Sequence, residues 1–319
     1  MSYQTVSRVL NGSSSVRPDT RQRVKDSIAR LGYRPNRAAR ALVVGRDRAV
    51  TVVTADTMLY GHASTLQGIE EAARGAGYGV NVIVVDSAGD EHVQLAVDHV
   101  ADPTAGAVIV IGFDAAAVAV LEALPDSVPV VGVTAPGRDL AGRPTIGLDE
   151  RAAAAGAVRH LLELGHRTVH HLAIPAAARN TARQVGWSEA LHAEGVRGRL
   201  LYSPGWHVHD GYQIGSVLAA DPDVTAVLCG NDDLALGLRR ALYDAGRDVP
   251  GEVSIIGFDD VPGAAYWTPA LTTVRMDFAT LGRASFDMVL AVLANEVPGR
   301  PYLPAPALVV RESTGPSPR

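Results

Sequence analysis

Lysine is almost missing from this chain. Lys25 stands alone against 28 arginines among 319 residues, and alanine is abundant. Arginine, alanine and glycine share GC-rich codons, so this bias points to a high-GC genome. Cysteine is nearly absent too. Cys229 is the single thiol, which excludes an internal disulfide, and its apolar surroundings (AVLCG) read as a buried, reduced thiol in a cytoplasmic protein. No apolar run approaches the roughly 18 residues that a membrane span needs. The opening MSYQTVSRVL has no basic stretch leading into an apolar segment, so no secretory signal is expected. There is no Gly-x-x-x-x-Gly-Lys phosphate loop and no Gly-x-Ser-x-Gly elbow. His207-Val208-His209-Asp210 begins like a metallohydrolase motif, but no downstream ligand cluster follows. Asp259 and Asp260 are adjacent and cannot flank a glycosidic bond from both sides. The expectation is a non-enzymatic protein with no metal and no cofactor.

The 47% apolar and 20% charged composition is that of a soluble globular protein. Its net charge of −5 hides an asymmetry. Residues 1–48 hold eleven basic side chains against three acidic ones, a net of +8, while the remainder holds 18 against 31, a net of −13. A basic head on an acidic body suits a head that meets a polyanion, although a solvated basic helix has the same charge signature.

The head reads as two short helices. In the first, Val6, Val9 and Leu10 fall at i, i+3, i+4 after Ser2, with Asn11-Gly12 as the stop. The second starts at Pro18, carries Val24, Ile28 and Leu31 on one face, and ends at Gly32. Tyr3 and Gln4 sit at the start of the first helix, where side chains reach base edges in a major groove. Gln4 can bond adenine and Arg8 guanine in bidentate fashion. Ser7, Asn11 and Thr20 are short polar groups suited to phosphate contacts. An ordinary amphipathic surface helix is the other reading.

SYQTVSRVLN resembles the recognition helix of the LacI/GalR family of transcriptional regulators. Tyr33-Arg34-Pro35-Asn36-Arg37-Ala38-Ala39-Arg40-Ala41-Leu42 is similar to that family's hinge helix. The resemblance implies DNA contacts by Tyr33, Asn36, Arg37, Ala39 and Leu42, with Leu42 as the wedge between base pairs in the minor groove. A plain interdomain linker is the alternative. The family's head also has a further helix ahead of SYQ, followed by Ala-Gly-Val, and Met1 stands at the position of that valine. This leads to the expectation of a start placed too late, because GTG encodes valine and also serves as a start codon. Without that helix Val6, Val9, Leu10, Val24, Ile28 and Leu31 are expected to lack a packing partner.

From Val50 onward short apolar runs alternate with amphipathic stretches. AVTVV, VNVIVV, GAVIVI, VPVVGV, TVHHLAI, AVLCG and VSIIGF read as strands. Helical patterns include 66–75, 115–124, 152–164 and 233–245. The fold class is therefore α/β, with parallel sheets flanked by helices in two lobes and a cleft between them. This core resembles the type I periplasmic-binding-protein fold, attached to a small α-helical N-terminal DNA-binding head. The expected bounds are 1–46 for head and hinge, and 47–319 for the effector-binding and dimerisation core. Within it the N-lobe takes about 47–146 and 278–304, and the C-lobe about 147–275 and 305–314.

By the same resemblance the effector site comprises Arg179, Arg183, Trp206, Asn231 and Asp259, with Leu59 and Tyr60 on the opposite lip (59–64). An indole suits the apolar face of a pyranose, while charged and amide groups satisfy its hydroxyls. Bland readings stand beside these: Asn231 and Asp232 as helix caps, Trp206 as core, Asp260 as structural. Thr134 and Met276 depart from the pattern of the lactose-binding members, so the effector need not be an allolactose-like galactoside. The expected protein is a cytoplasmic homodimeric repressor with three partners: palindromic operator DNA, a sugar effector and a second copy of itself. The tail (ESTGPSPR) carries no leucine heptads, so no tail-mediated tetramer is expected. A sugar sensor without DNA binding and a solute-binding protein remain as alternatives.

Overall fold

The computed structural model describes residues 3–10, 16–31, 48–101, 106–134, 140, 142–175 and 181–318. It divides into two units, Met1–Asp47 and Arg48–Arg319.

In the first unit α1 (Tyr3–Leu10) and α2 (Pro18–Leu31) follow the expected bounds. Pro18 presets the first-turn φ, Asp19 lies at the positive end of the helix dipole and Arg30 at the negative end. Val9 and Val24 are buried, contrary to the expectation that this apolar set lacks partners. Leu31 does remain 75% exposed.

The second unit carries two sheets. The first contains β1 (Ala49–Thr54), β2 (Gly79–Val84), β3 (Ala107–Ile111), β4 (Val130–Val133) and β5 (Thr145–Ile146). Their order is β2-β1-β3-β4-β5, all parallel. The apolar runs are continuous because both faces are covered. Val108 and Val110 face α4 (Asp90–Val100) and α5 (Ala115–Ala123). Ile109 and Ile111 face α3 (Tyr60–Gly75) and a helix from late in the chain, Phe278–Leu293, which is α10. α3 and α10 cross on bare backbone: a Cβ on Gly68 would stand 2.1 Å from the Ala279 carbonyl oxygen, and one on Gly282 2.1 Å from that of Thr65.

The second sheet contains β6 (His170–Ala173), β7 (Leu200–Tyr202), β8 (Ala226–Cys229), β9 (Ser254–Asp259), β10 (Thr272–Arg275) and β11 (Ala307–Val309). The order is β11-β10-β9-β8-β6-β7, parallel except for β10–β11. α6 (Glu150–Glu163) and α7 (Ala182–Ala193) pack on one face, and α8 (Val208–Ala219) and α9 (Asp232–Asp244) on the other. β5, β7, β10 and β11 were not among the expected strands. They span two to four residues each and lack a long apolar run. In β10 the threonines bond sideways instead, Thr273 Oγ1 donating to Asp232 at 2.6 Å.

Cys229 is buried and unpaired, and burial pushes its thiol well above the ordinary range. Asp210 accepts a hydrogen bond from the His207 backbone N–H (3.0 Å) within a capping box, so the HVHD segment starts α8. Among the described residues no helix is long and apolar enough to cross a membrane.

Candidate functional site

A cavity of about 540 Å³ opens at the carboxyl ends of the strands, lined by residues of both sheets. Strand ends are where open α/β sheets leave crevices, because the following chain turns away to either side.

On the second-sheet wall the organising group is Arg183, in the first turn of α7 and 5% exposed. Its Nε and Nη2 donate to the two carboxylate oxygens of Glu150 at 3.1 and 2.9 Å, and its Nη1 donates to the Gly230 carbonyl. Asp259 stands 3.8 Å from Nη2, and the Phe258 ring lies 4.5 Å beneath the guanidinium. Burial alone lowers the pKa of Arg183, but Glu150 and Asp259 more than offset this and the net shift is upward. Burial pushes Asp259 well above the usual carboxylate range against the pull of Arg183, with Asp232 and Glu150 adding to the rise. Asp232, next door, is raised to about 7 by burial, opposed by hydrogen bonds from Thr273 and the Val261 backbone. Arg183 thus sits beside two carboxyl groups, Asp259 and Asp232, that burial pushes toward the protonated form.

Asp259 ends β9 at a φ of 113°, a left-handed conformation that non-glycine residues adopt only when their surroundings compel it. Asp260 follows at φ 56° and is held by Arg275 and Arg311, each at 2.6 Å. Asp260 is therefore structural, one of its two expected readings. Asn231 caps α9, its Oδ1 accepting from the Leu234 N–H at 2.8 Å, and its Nδ2 donates to the Trp206 carbonyl at 3.0 Å. It caps a helix and lines the cavity at once. Trp206 is half-buried and lines the cavity from the loop ahead of α8.

The first-sheet wall is aromatic. Asp56 accepts from the Leu59 N–H at 2.7 Å, and this turn sets Leu59 and Tyr60 at the start of α3. Tyr60 lies edge-on to Phe278 with ring centroids 6.1 Å apart, and Phe278 packs on Phe113 at 5.9 Å. His62 meets Phe113 at 5.1 Å and, across the cleft, Trp206 at 6.3 Å.

Of the expected cleft residues, Leu59, Tyr60, Arg183, Trp206, Asn231 and Asp259 all line this cavity. Arg179 lies outside the described residues. In the head, Tyr3, Gln4, Ser7 and Arg8 lie on α1 and Thr20 on α2, and Arg8 is exposed. Asn11, Tyr33, Asn36, Arg37, Ala39 and Leu42 lie outside the described residues. Sequence reasoning missed Glu150, Phe113 and Phe278 as lining groups. Phe113 lies two residues past the end of the strand GAVIVI, a position that marks a crevice residue. Glu150 sits in the first turn of a helix, where an acidic residue reads as dipole compensation.

Two stretches match family descriptions: residues 1–36 match bacterial regulatory proteins of the lacI family, and residues 158–314 a periplasmic binding protein-like domain. The chain is 30% identical over 318 residues to the lactose operon repressor of Escherichia coli (strain K12), covering 98% of this chain and 88% of the relative. The chain belongs to the lacI family. A structure of the lac repressor dimer bound to operator and the anti-inducer ONPF superposes with a TM-score of 0.87 at 30% identity, covering 99% of this chain and 96% of that one. The transcriptional regulator CelR in complex with cellobiose gives 0.73 at 26% identity, covering 98% and 96%. These family members are transcriptional regulators, and the α/β core with parallel sheets flanked by helices is the family's core.

Proposed function

We propose that this chain is a sequence-specific transcriptional repressor, acting as a cytoplasmic homodimer on palindromic operator DNA. A sugar bound in the cleft controls it, and it performs no catalysis. The observation that carries this reading is the convergence of Arg183, Asn231, Asp259 and Trp206 on one cavity in a lacI-family chain. Flat indole and hydroxyl-bonding groups facing each other suit a pyranose. Relatives of the same architecture are recorded with operator and ONPF, and with cellobiose.

In this reading residues 1–46 form the head and hinge. The first lobe takes about 47–146 and 278–304, the second about 147–275 and 305–314. Tyr3, Gln4 and Arg8 read bases, Ser7, Asn11 and Thr20 hold phosphates, and Tyr33, Asn36, Arg37, Ala39 and Leu42 serve the hinge in the minor groove. Two heads are needed because one reads half a palindrome. A ligand that touches both walls favours one arrangement of the lobes and so changes operator affinity. The test is fluorescence anisotropy on a palindromic duplex from the protein's own promoter region, at fixed salt, with a panel of sugars. Tight binding altered by one sugar is expected. Failure to bind DNA at any salt while a sugar still binds the cleft would leave a sensor and overturn the repressor.

A further inference from the structure

The second-sheet wall is rich in hydrogen-bonding groups, whereas the first-sheet wall offers few. Among the described residues its polar lining side chains are Tyr60, His62 and Thr134, and Thr134 is already engaged. His62 is the buried one with an open atom. It is 3% exposed, its Nε2 faces Asp114 Oδ2 at 3.4 Å, and among the described residues its Nδ1 makes no hydrogen bond. Asp114 is itself fixed, because its Oδ1 caps α5 by accepting from the Ala117 N–H at 2.9 Å. The ring is also held edgewise by Phe113 on its own wall and Trp206 on the opposite one, with interplanar angles of 78° and 88°.

We infer that His62 is the specificity-determining residue of the first-sheet wall, accepting a hydroxyl of the bound sugar through Nδ1 while Asp114 positions the imidazole. This rests on the reading that a sugar occupies the cleft. With Nε2–H donating to Asp114, a neutral imidazole must present Nδ1 as an acceptor. His62 lines the cavity, and an acceptor left open there is satisfied only when something in the cavity donates to it. A pyranose lying on Trp206 brings its rim hydroxyls beside His62, since the two rings are in edge contact. His62 then adds a bond from the wall opposite Arg183. That bond exists only when the two walls are close, so it couples ligand identity to lobe arrangement.

The test is calorimetric titration of a mono- and disaccharide panel, with monodeoxy analogues of the sugar that binds, against the intact chain and five variants. His62→Ala is expected to weaken binding roughly tenfold or more. His62→Asn, whose Oδ1 replaces Nδ1, recovers most of the loss, and His62→Gln does not. Asp114→Asn, which keeps the cap, gives an intermediate loss. One deoxy analogue binds the intact chain weakly and shows no further loss with His62→Ala. Unchanged thermal midpoints establish that the variants are folded. Binding by His62→Ala within twofold of the intact chain overturns the assignment, as does an equal loss for every deoxy analogue. Sugar binding that survives His62→Ala but disappears in Arg183→Ala removes His62 alone and keeps the cleft reading. Binding of no sugar by the folded intact chain overturns both.

Discussion

The two walls of the cleft come from the same alternation of strand and helix, yet their chemistries are opposed. The second-sheet wall sets Arg183 among Glu150, Asp259 and Asp232, while the first-sheet wall presents Tyr60, Phe113 and Phe278. The difference follows from what each wall can hold without a ligand. Charges on the second wall satisfy one another, so it is built before anything binds. Rings on the first wall need only packing, so it can meet a ligand with few fixed demands. A pre-paired polar wall and an aromatic wall together make a site that grips with one side and adapts with the other.

Removing the centre of the polar wall gives the largest expected effect. Arg183→Ala leaves Glu150 and Asp259 facing each other in a buried site. It should cost about 3–5 kcal/mol of stability in urea unfolding, the usual penalty for breaking a buried ion pair from one side. On the other wall, Gly68→Ala drives a Cβ into the Ala279 carbonyl and parts α3 from α10. Overpacking of this kind costs about 1–3 kcal/mol, read from the same unfolding curves. A Gly68→Ala chain of undiminished stability would mean that the two helices do not cross this tightly.

The walls should also differ in their response to pH. His160, His166, His170 and His171 all belong to the second-sheet half, and burial lowers each of them, His171 to about 4. A histidine depressed in the folded state contributes stability that is present above its unfolded value near 6.5 and is lost as pH falls towards 4. For the fully buried His171 the loss at pH 5 is on the order of 2 kcal/mol. Asp232 has the opposite sign. Raised to about 7, it contributes stability that is full below its unfolded value near 3.8 and lost as pH rises through 7. The two groups act over the same window, about pH 4 to 7, with opposed slopes that offset each other in the intact chain, so His171→Asn should make stability fall as pH rises across it and Asp232→Asn should make stability rise. Identical pH slopes in both variants and the intact chain would contradict the assignment.

The smallest effect is expected at the neighbouring pair, where Arg151 follows Glu150, the partner of Arg183. Arg151 and Glu189 also join α6 to α7, at 2.8 Å from Nε, but both side chains are about half exposed. Solvent screens such pairs, so Glu189→Gln should leave the unfolding midpoint unchanged within measurement. A loss comparable to that of Arg183→Ala would show that burial is not what separates the two pairs.

Much of this was legible from residue patterns. The runs GAVIVI and VSIIGF announce strands covered on both faces, and SYQTVSRVLN announces α1. Arg183, Trp206, Asn231 and Asp259 came from resemblance, and the structure brings them to one cavity. α3 was expected only from Leu66, because Tyr60–Thr65 (YGHAST) has no helical apolar period. The turn built on Asp56 starts it earlier and delivers Tyr60 and His62 to the cleft. Glu150 escaped notice because its importance lies in a partner 33 residues away. His62 falls within the lip expected at 59–64, but its pairing with Asp114, 52 residues away, was not foreseen. Contacts of that range leave no mark on local sequence.

The most direct test of the central claim is to titrate the sugar panel calorimetrically into the intact chain and into Arg183→Ala side by side. The account predicts a single class of site on the intact chain for at least one sugar, and loss of that heat in the folded variant. Equal affinity of the two chains for the same sugar would place the effector somewhere other than this cleft.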